Sequence, residues 1–246
     1  MSHVVITGAS SGFGEASALG FAKLGHSLFL GARRVDRLRE VARACLEAGA
    51  REAEVHELDV RGKKSIDEFC AACGTPDILL NNAGLALGRD PVSSMKDEDL
   101  VGMVETNVIG LVRVTRALLP RMIAAKRGHI INLGSYAARG VYEGGAVYAA
   151  TKHSVRVISE TLRLELSGTN IRVTEMDPGM AETEFSIVRL GDESKAKKVY
   201  EGWEPLTAAD VADAILWVAT RPPHVNVSEV VMTATAQASL TKVHKG

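Results

Sequence analysis

VVITGASSGFG, residues 4–14, is the stretch on which the fold turns. Val4, Val5, Ile6 and Thr7 are all β-branched, which favours a buried strand. Three glycines follow, Gly8, Gly12 and Gly14, in the spacing G-x-x-x-G-x-G, and after them an Ala-rich helical segment begins. Such glycines allow a tight turn, a close backbone approach to a diphosphate, and close packing of helix on strand. The start of the helix offers free N–H groups and a positive dipole end to an anion. The place of the loop between a first strand and a helix makes it a dinucleotide cradle rather than a bare turn. GASSG also fits a G-x-S-x-G nucleophile elbow with Ser10 as nucleophile. That motif needs several strands before it and a catalytic acid and histidine after it. Here it follows the first strand, and the late His224 sits in RPPHVNV.

Outward from this stretch, apolar strand-like runs alternate with helix-length segments. SLFLGA (27–32), EVHELDV (54–60), DILLNNA (77–83), HIINLGS (129–135), IRVTEMDPG (171–179) and SEVVMTA (228–234) read as strands. Helices are expected near 14–24, 34–48, 63–73, 97–125, 146–167 and 207–220, with a break near Pro120 in the longest. Nearly continuous apolar strands alternating with helices predict an α/β fold: one doubly wound parallel sheet of about seven strands, helices on both faces. No linker or repeat divides the chain, so residues 1–246 are expected to form a single domain. The polar, turn-rich stretch 180–205 is expected to be a substrate loop.

Lys and Arg number 29 against 30 Asp and Glu, so no broad basic surface for nucleic acid is implied. No run approaches the ~20 apolar residues of a membrane span, and no leader is evident, so a cytoplasmic protein without a membrane partner is expected. Three cysteines are too few for a disulfide framework. The CAAC at 70–73 has no second ligand pair for zinc, so no metal is expected and its cysteines are taken as structural.

Two further stretches carry chemistry. At the end of the second strand, where an NAD-binding fold places an acid for the ribose 2′-hydroxyl, the chain reads GARR, with Ala32 at the acid's position and Arg33 and Arg34 after it. Guanidinium groups suit a 2′-phosphate and a carboxylate would repel one, so NADP is preferred to NAD. YAATK (148–152) puts Tyr148 and Lys152 one helical turn apart on one face, with small residues between them. Lowering a phenol from pKa ~10 towards neutrality takes about 4 kcal/mol, roughly what one ammonium ~4 Å away supplies at an effective dielectric near 20. Tyr148 is therefore expected to be tuned by Lys152 for proton transfer.

Taken in order, TGASSGFG (7–14), NNAG (81–84), Asn107 in TNVIGL, Ser135 in NLGS, YAATK (148–152) and DPG (177–179) followed by Thr183 resemble the short-chain dehydrogenase/reductase family in its Rossmann-fold form. The strings SGFGEA, NNAGLALG and HVN are similar to its NADP-dependent 3-hydroxy acid dehydrogenase branch, which acts on serine and allo-threonine and lies near the sulfoacetaldehyde reductases. The resemblance implies Tyr148 as acid/base, Lys152 as its activator and a nicotinamide-ribose ligand, and Ser135 as hydrogen-bond donor to the carbonyl. Asn107 would anchor a water-linked proton relay through Lys152. Gly8, Ser10, Ser11, Gly12, Phe13, Gly14, Arg33, Arg34, Asp59, Val60, Asn82, Ala83, Gly84, Tyr148, Lys152, Pro178, Gly179, Met180 and Thr183 would line NADP. Asn82 and Gly84 could act as much by fixing the central strand, and Asp59 could instead cap a helix. Tyr142 and Arg189 are candidates for an acidic substrate, Arg189 by pairing with a carboxylate or sulfonate. A homo-oligomer, most simply a tetramer through 97–125 and 146–167, is implied as well. A catalytically silent NADP(H) sensor on the same fold is the alternative of a different class, against which the complete Ser135, Tyr148 and Lys152 set argues.

Overall fold

The computed structural model describes residues 1–246. Seven parallel strands form one sheet: β1 (His3–Thr7), β2 (Ser27–Ala32), β3 (Glu52–Glu57), β4 (Ile78–Asn81), β5 (Gly128–Leu133), β6 (Ile171–Pro178) and, last in the chain, β9 (Glu229–Met232). Their spatial order is β3-β2-β1-β4-β5-β6-β9. The chain leaves β1 in one direction to build β2 and β3, then returns to lay β4 on the other side of β1. That reversal opens a crevice at the carboxyl ends of β1 and β4, where open α/β sheets bind ligands.

The helices cover both faces because the strands are apolar on both. On one side α1 (Gly12–Lys23), α2 (Val35–Glu47) and α9 (Ala208–Ala219) bury Phe21, Leu38 and Ile215 against Val4, Ile6 and Leu30. On the other, α3 (Lys63–Ala72) and α5 (Leu111–Ala125) bury Phe69, Val114 and Leu118 against Val5, Phe29 and Leu79. Each such side chain is worth roughly 1.5–3 kcal/mol of transfer free energy. Cys70 and Cys73 belong to this second layer, where burial pushes their thiols up to about 12 and about 11. No helix is long and apolar enough to cross a membrane.

Two local expectations are corrected. The helix expected over 97–125 is interrupted, but not at Pro120, which lies inside α5. Pro120 is exposed, so the carbonyl one turn earlier that its missing amide leaves unpaired can be satisfied by solvent. The interruption falls at Glu105–Gly110, a π-helical turn between α4 (Asp97–Val104) and α5. There the buried Asn107 receives the Leu85 amide on Oδ1 at 2.8 Å and donates through Nδ2 to the Leu85 carbonyl at 2.7 Å. A wider turn is how a helix admits such a side chain at a functional position. The stretch 180–205, expected to be a loop, folds into a short strand β7 (Ala181–Glu182) and two short helices, α7 (Glu184–Leu190) and α8 (Glu193–Tyr200). β7 pairs with β8 (Leu206–Thr207). Thr183 and Asp192 cap these helices through their side chains, a local signal hidden in a polar composition.

Candidate active site

The crevice is a cavity of about 560 Å³ running from Arg33, past the glycine loop, to Tyr148 and Arg189. Its first wall is largely backbone. Gly8 and Gly12 adopt φ of 69° and 57°, a region open to glycine and costly for other residues. A Cβ on Gly8 would come within 2.9 Å of the Ala83 Cα, so the loop lies directly on the end of β4. Asn82 secures that contact by donating Nδ2 to the carbonyls of Thr7 and Gly8, both at 3.0 Å, and Ala83 donates its amide to Thr7 Oγ1 at 3.0 Å. Of the two roles open to Asn82, strand fixation is the one with contacts. No side chain caps α1, and its first amides face the crevice.

The arginines diverge. Arg34 Nη2 donates to Ser11 Oγ at 2.7 Å and to Glu184 Oε2 at 2.8 Å, while Arg33 makes neither ion pair nor hydrogen bond. Asp59 lies beside Val60 on the same wall, its carboxyl held below its usual range chiefly by the Arg61 side chain. It caps no helix: the residue before α3 is Gly62. A glycine cradle that no side chain can enter, an uncapped helix start and guanidinium groups at the far end together fit a dinucleotide with a ribose phosphate.

The second wall is made of side chains. Tyr148 and Lys152 lie on α6 (Ala146–Glu165), both buried. Ser135 follows β5 by two residues and caps a 3₁₀ turn, Tyr136–Arg139, its Oγ accepting the Ala137 amide at 3.1 Å. Lys152 Nζ donates to the Leu133 carbonyl at 2.8 Å and lies 5.9 Å from the Tyr148 ring centre. The expectation that Lys152 would draw the phenol towards neutrality is not met. Burial dominates and pushes Tyr148 up to about 12, with the Ser135 hydroxyl and the Arg189 charge working the other way. Lys152 moves in the opposite sense, down to about 8, because burial disfavours its charge. Asn107 does not touch Lys152 with its amide, which is spent on Leu85 and on Thr151 Oγ1 at 3.1 Å.

Arg189, on α7, lies 5.5 Å over the Tyr148 ring and 5.4 Å over the Tyr142 ring. It donates to the Tyr142 hydroxyl at 3.0 Å and to the Gly88 carbonyl at 3.2 Å, leaving Nη1 uncommitted. The segment after β6 is fixed by Gly179 N donating to Met232 O at 2.7 Å and Met180 N to Gln237 Oε1 at 2.8 Å. Pro178 and Thr183 line the same stretch. Glu184, Phe185, Gln237 and Leu240 also line the cavity and were not anticipated. Nothing in EFS or TAQASL marks them, because contacts across 50 or more residues bring them there.

The sheet order, with its crevice at the strand reversal, defines a doubly wound α/β protein of the dinucleotide-binding kind, and Ser135, Tyr148 and Lys152 line that crevice together. The chain belongs to the short-chain dehydrogenase family, whose profile matches residues 2–193. It is 44% identical over 241 residues to an NADP-dependent 3-hydroxy acid dehydrogenase of Salmonella typhi, covering 96% of both chains. It is 45% identical over 243 residues to sulfoacetaldehyde reductase 2 of Chromohalobacter salexigens, covering 96% of this chain and 95% of the other. A solved structure of serine dehydrogenase in its closed form with NADP+ superposes with a TM-score of 0.92 at 43% identity, covering 99% of this chain and 100% of that one.

Proposed function

We propose that residues 1–246 act as one NADP-dependent oxidoreductase that interconverts a hydroxyl and a carbonyl on a small anionic substrate, a 3-hydroxy acid such as serine or allo-threonine or the related semialdehyde. The observation that carries this reading is the Arg189 guanidinium 5.5 Å over the Tyr148 ring, with one nitrogen uncommitted. It puts an anion-binding group beside the ring of the proton-transfer group. The relatives named for 3-hydroxy acids and for serine support the same class.

The nicotinamide, when bound, supplies or accepts the hydride. The protein's part is proton transfer and orientation. Tyr148, kept protonated by burial, donates its phenolic proton to the substrate oxygen during reduction and takes it back during oxidation. Ser135 donates a hydrogen bond to that oxygen. Lys152, pinned on Leu133 and brought down to about 8 by burial, returns the proton to Tyr148 and fixes the cofactor ribose. Asn107 serves by shape, holding the π-turn against Leu85 so that a proton relay can pass behind Lys152. Gly8 to Gly14 cradle the diphosphate, Asp59 and Val60 flank the adenine, and Arg33 with Arg34 takes the 2′-phosphate.

Sulfoacetaldehyde is the second reading, since Arg189 pairs with a sulfonate as readily as with a carboxylate and a sulfoacetaldehyde reductase is among the relatives. A panel of serine, allo-threonine, 3-hydroxypropionate, malonic semialdehyde and sulfoacetaldehyde, each with NADP(H) and NAD(H), decides between them. NADPH binding without turnover of any carbonyl would turn the protein into a sensor. The reading also takes it as a cytoplasmic homo-oligomer, a tetramer through α4–α5 and α6. Exposed Val112, Ile123 and Val157 on those helices support that, and sedimentation tests it.

A further inference from the structure

β6 carries two acids, Glu175 and Asp177, on one face of the strand and both fully buried. Charges are not left in a sheet without partners, because desolvation costs several kcal/mol per ion. Asp177 has two, and both come from one turn. Its Oδ1 accepts the backbone amide of Ser135 at 2.9 Å, and its Oδ2 accepts Arg139 Nε at 2.8 Å. Ser135 caps the 3₁₀ turn that Arg139 ends. One carboxylate thus grips the turn at its first and last residues. Gly134 makes room for this, since a Cβ there would run into Asp177 Oδ1. Arg139 is anchored from behind by Glu229 Oε2 at 2.8 Å, and Arg163 reaches the other oxygen of Glu229 at 3.6 Å.

We infer that Arg139 and Asp177 are positioning residues for the reaction: together they clamp the turn that presents the Ser135 hydroxyl to the substrate oxygen. The inference rests on the carbonyl-reductase reading of the cleft. Neither residue reaches the reacting atoms. Arg139 acts through Asp177, and Asp177 through the Ser135 backbone. A hydroxyl displaced by about 1 Å can cost as much as 100-fold in rate, so the clamp bears on kcat more than on binding.

A double-mutant cycle, with rates expressed per NADPH-binding site, tests this. Arg139→Gln is expected to lower kcat roughly 10- to 100-fold, with KM and the NADPH dissociation constant within about twofold of wild type. Arg139→Lys should recover most of the loss by restoring the cation. On a Ser135→Ala background Arg139→Gln should cost nothing further, because the group it positions has gone. Hydrogen exchange of a peptide containing the Ser135 amide should quicken in Arg139→Gln. Unchanged kcat and exchange, or a full additive loss on Ser135→Ala, overturns the clamp. Should Arg139→Gln not fold, Asp177→Asn, nearly equal in size, carries the same cycle. A wild-type protein that binds NADPH yet reduces no carbonyl defeats the functional reading instead, and the exchange arm then still decides the clamp.

Discussion

The two walls of the cleft are built from different materials. On the nucleotide side, the glycine loop, the first turn of α1 and the end of β4 are held by main-chain geometry and by Asn82 bonding two carbonyls. On the substrate side, Tyr142, Arg189 and Leu240 arrive from separate parts of the chain and line the cavity through their side chains. A backbone wall tolerates few changes and recognises what all dinucleotides share. A side-chain wall can be re-cut one residue at a time, which suits the discrimination of one small acid from another.

The contrast yields expectations in descending size. Tyr148→Phe removes the proton donor and should lower turnover by at least ~1,000-fold while NADPH binding, which rests mainly on the other wall, stays largely intact; general acid–base catalysis is worth about 10² to 10⁴. Fluorescence titration beside steady-state kinetics checks both halves, and retained activity would remove Tyr148 from the mechanism. Replacing Arg33 and Arg34 together by Ala should weaken NADPH about 100-fold and leave NADH nearly unchanged, given roughly 1.5–3 kcal/mol per charged hydrogen bond. Equal loss for both cofactors would show that the arginines support the loop rather than the phosphate. Arg189→Ala should raise KM for a 3-hydroxy acid about tenfold with little change for an uncharged alcohol; an unchanged KM would take Arg189 out of the substrate wall.

The smallest effect concerns Glu175, whose buried carboxyl has Asp177, Glu229, Arg139 and Lys152 around it and whose nearest cation, Arg139 Nη2, is 3.6 Å away. Burial, then the neighbouring Asp177 charge, pushes its carboxyl up from the ordinary 4.5. A carboxyl raised in the folded state stabilises fully below its unfolded value and loses that contribution as pH rises through the folded one. Glu175→Gln should therefore match wild type near pH 4.5 and melt higher at alkaline pH, by about 2–4 °C for each kcal/mol relieved. Melting curves that stay parallel across pH would mean that Glu175 keeps its ordinary affinity for the proton.

Legibility in the sequence divides along the same line as the walls. Gly8, Gly12 and Gly14 after a β-branched run state their own backbone requirement, and the alternation of apolar runs with helices yields the seven-stranded parallel sheet. Tyr148 and Lys152 lie one helical turn apart, so their shared face is local as well. The interruption at Glu105–Gly110 was not legible, because it answers to the backbone of Leu85, about 20 residues away. Pro120 misled for the opposite reason: its local rule was overridden by solvent exposure. The polar stretch 180–205 concealed helices whose caps, Thr183 and Asp192, look like ordinary turn residues.

By itself, the sequence determined the seven strands and the helices between them, the glycine cradle and the pairing of Tyr148 with Lys152 on one helix face, since each depends on residues a few positions apart. Only the tertiary structure decided the balance of charge at the site. It assigned Arg34 to Glu184 across 150 residues, gave Asp177 to both ends of the Ser135 turn, and let burial rather than Lys152 set the affinity of Tyr148 for its proton. Desolvation depends on everything packed around a group, and no local spacing encodes that.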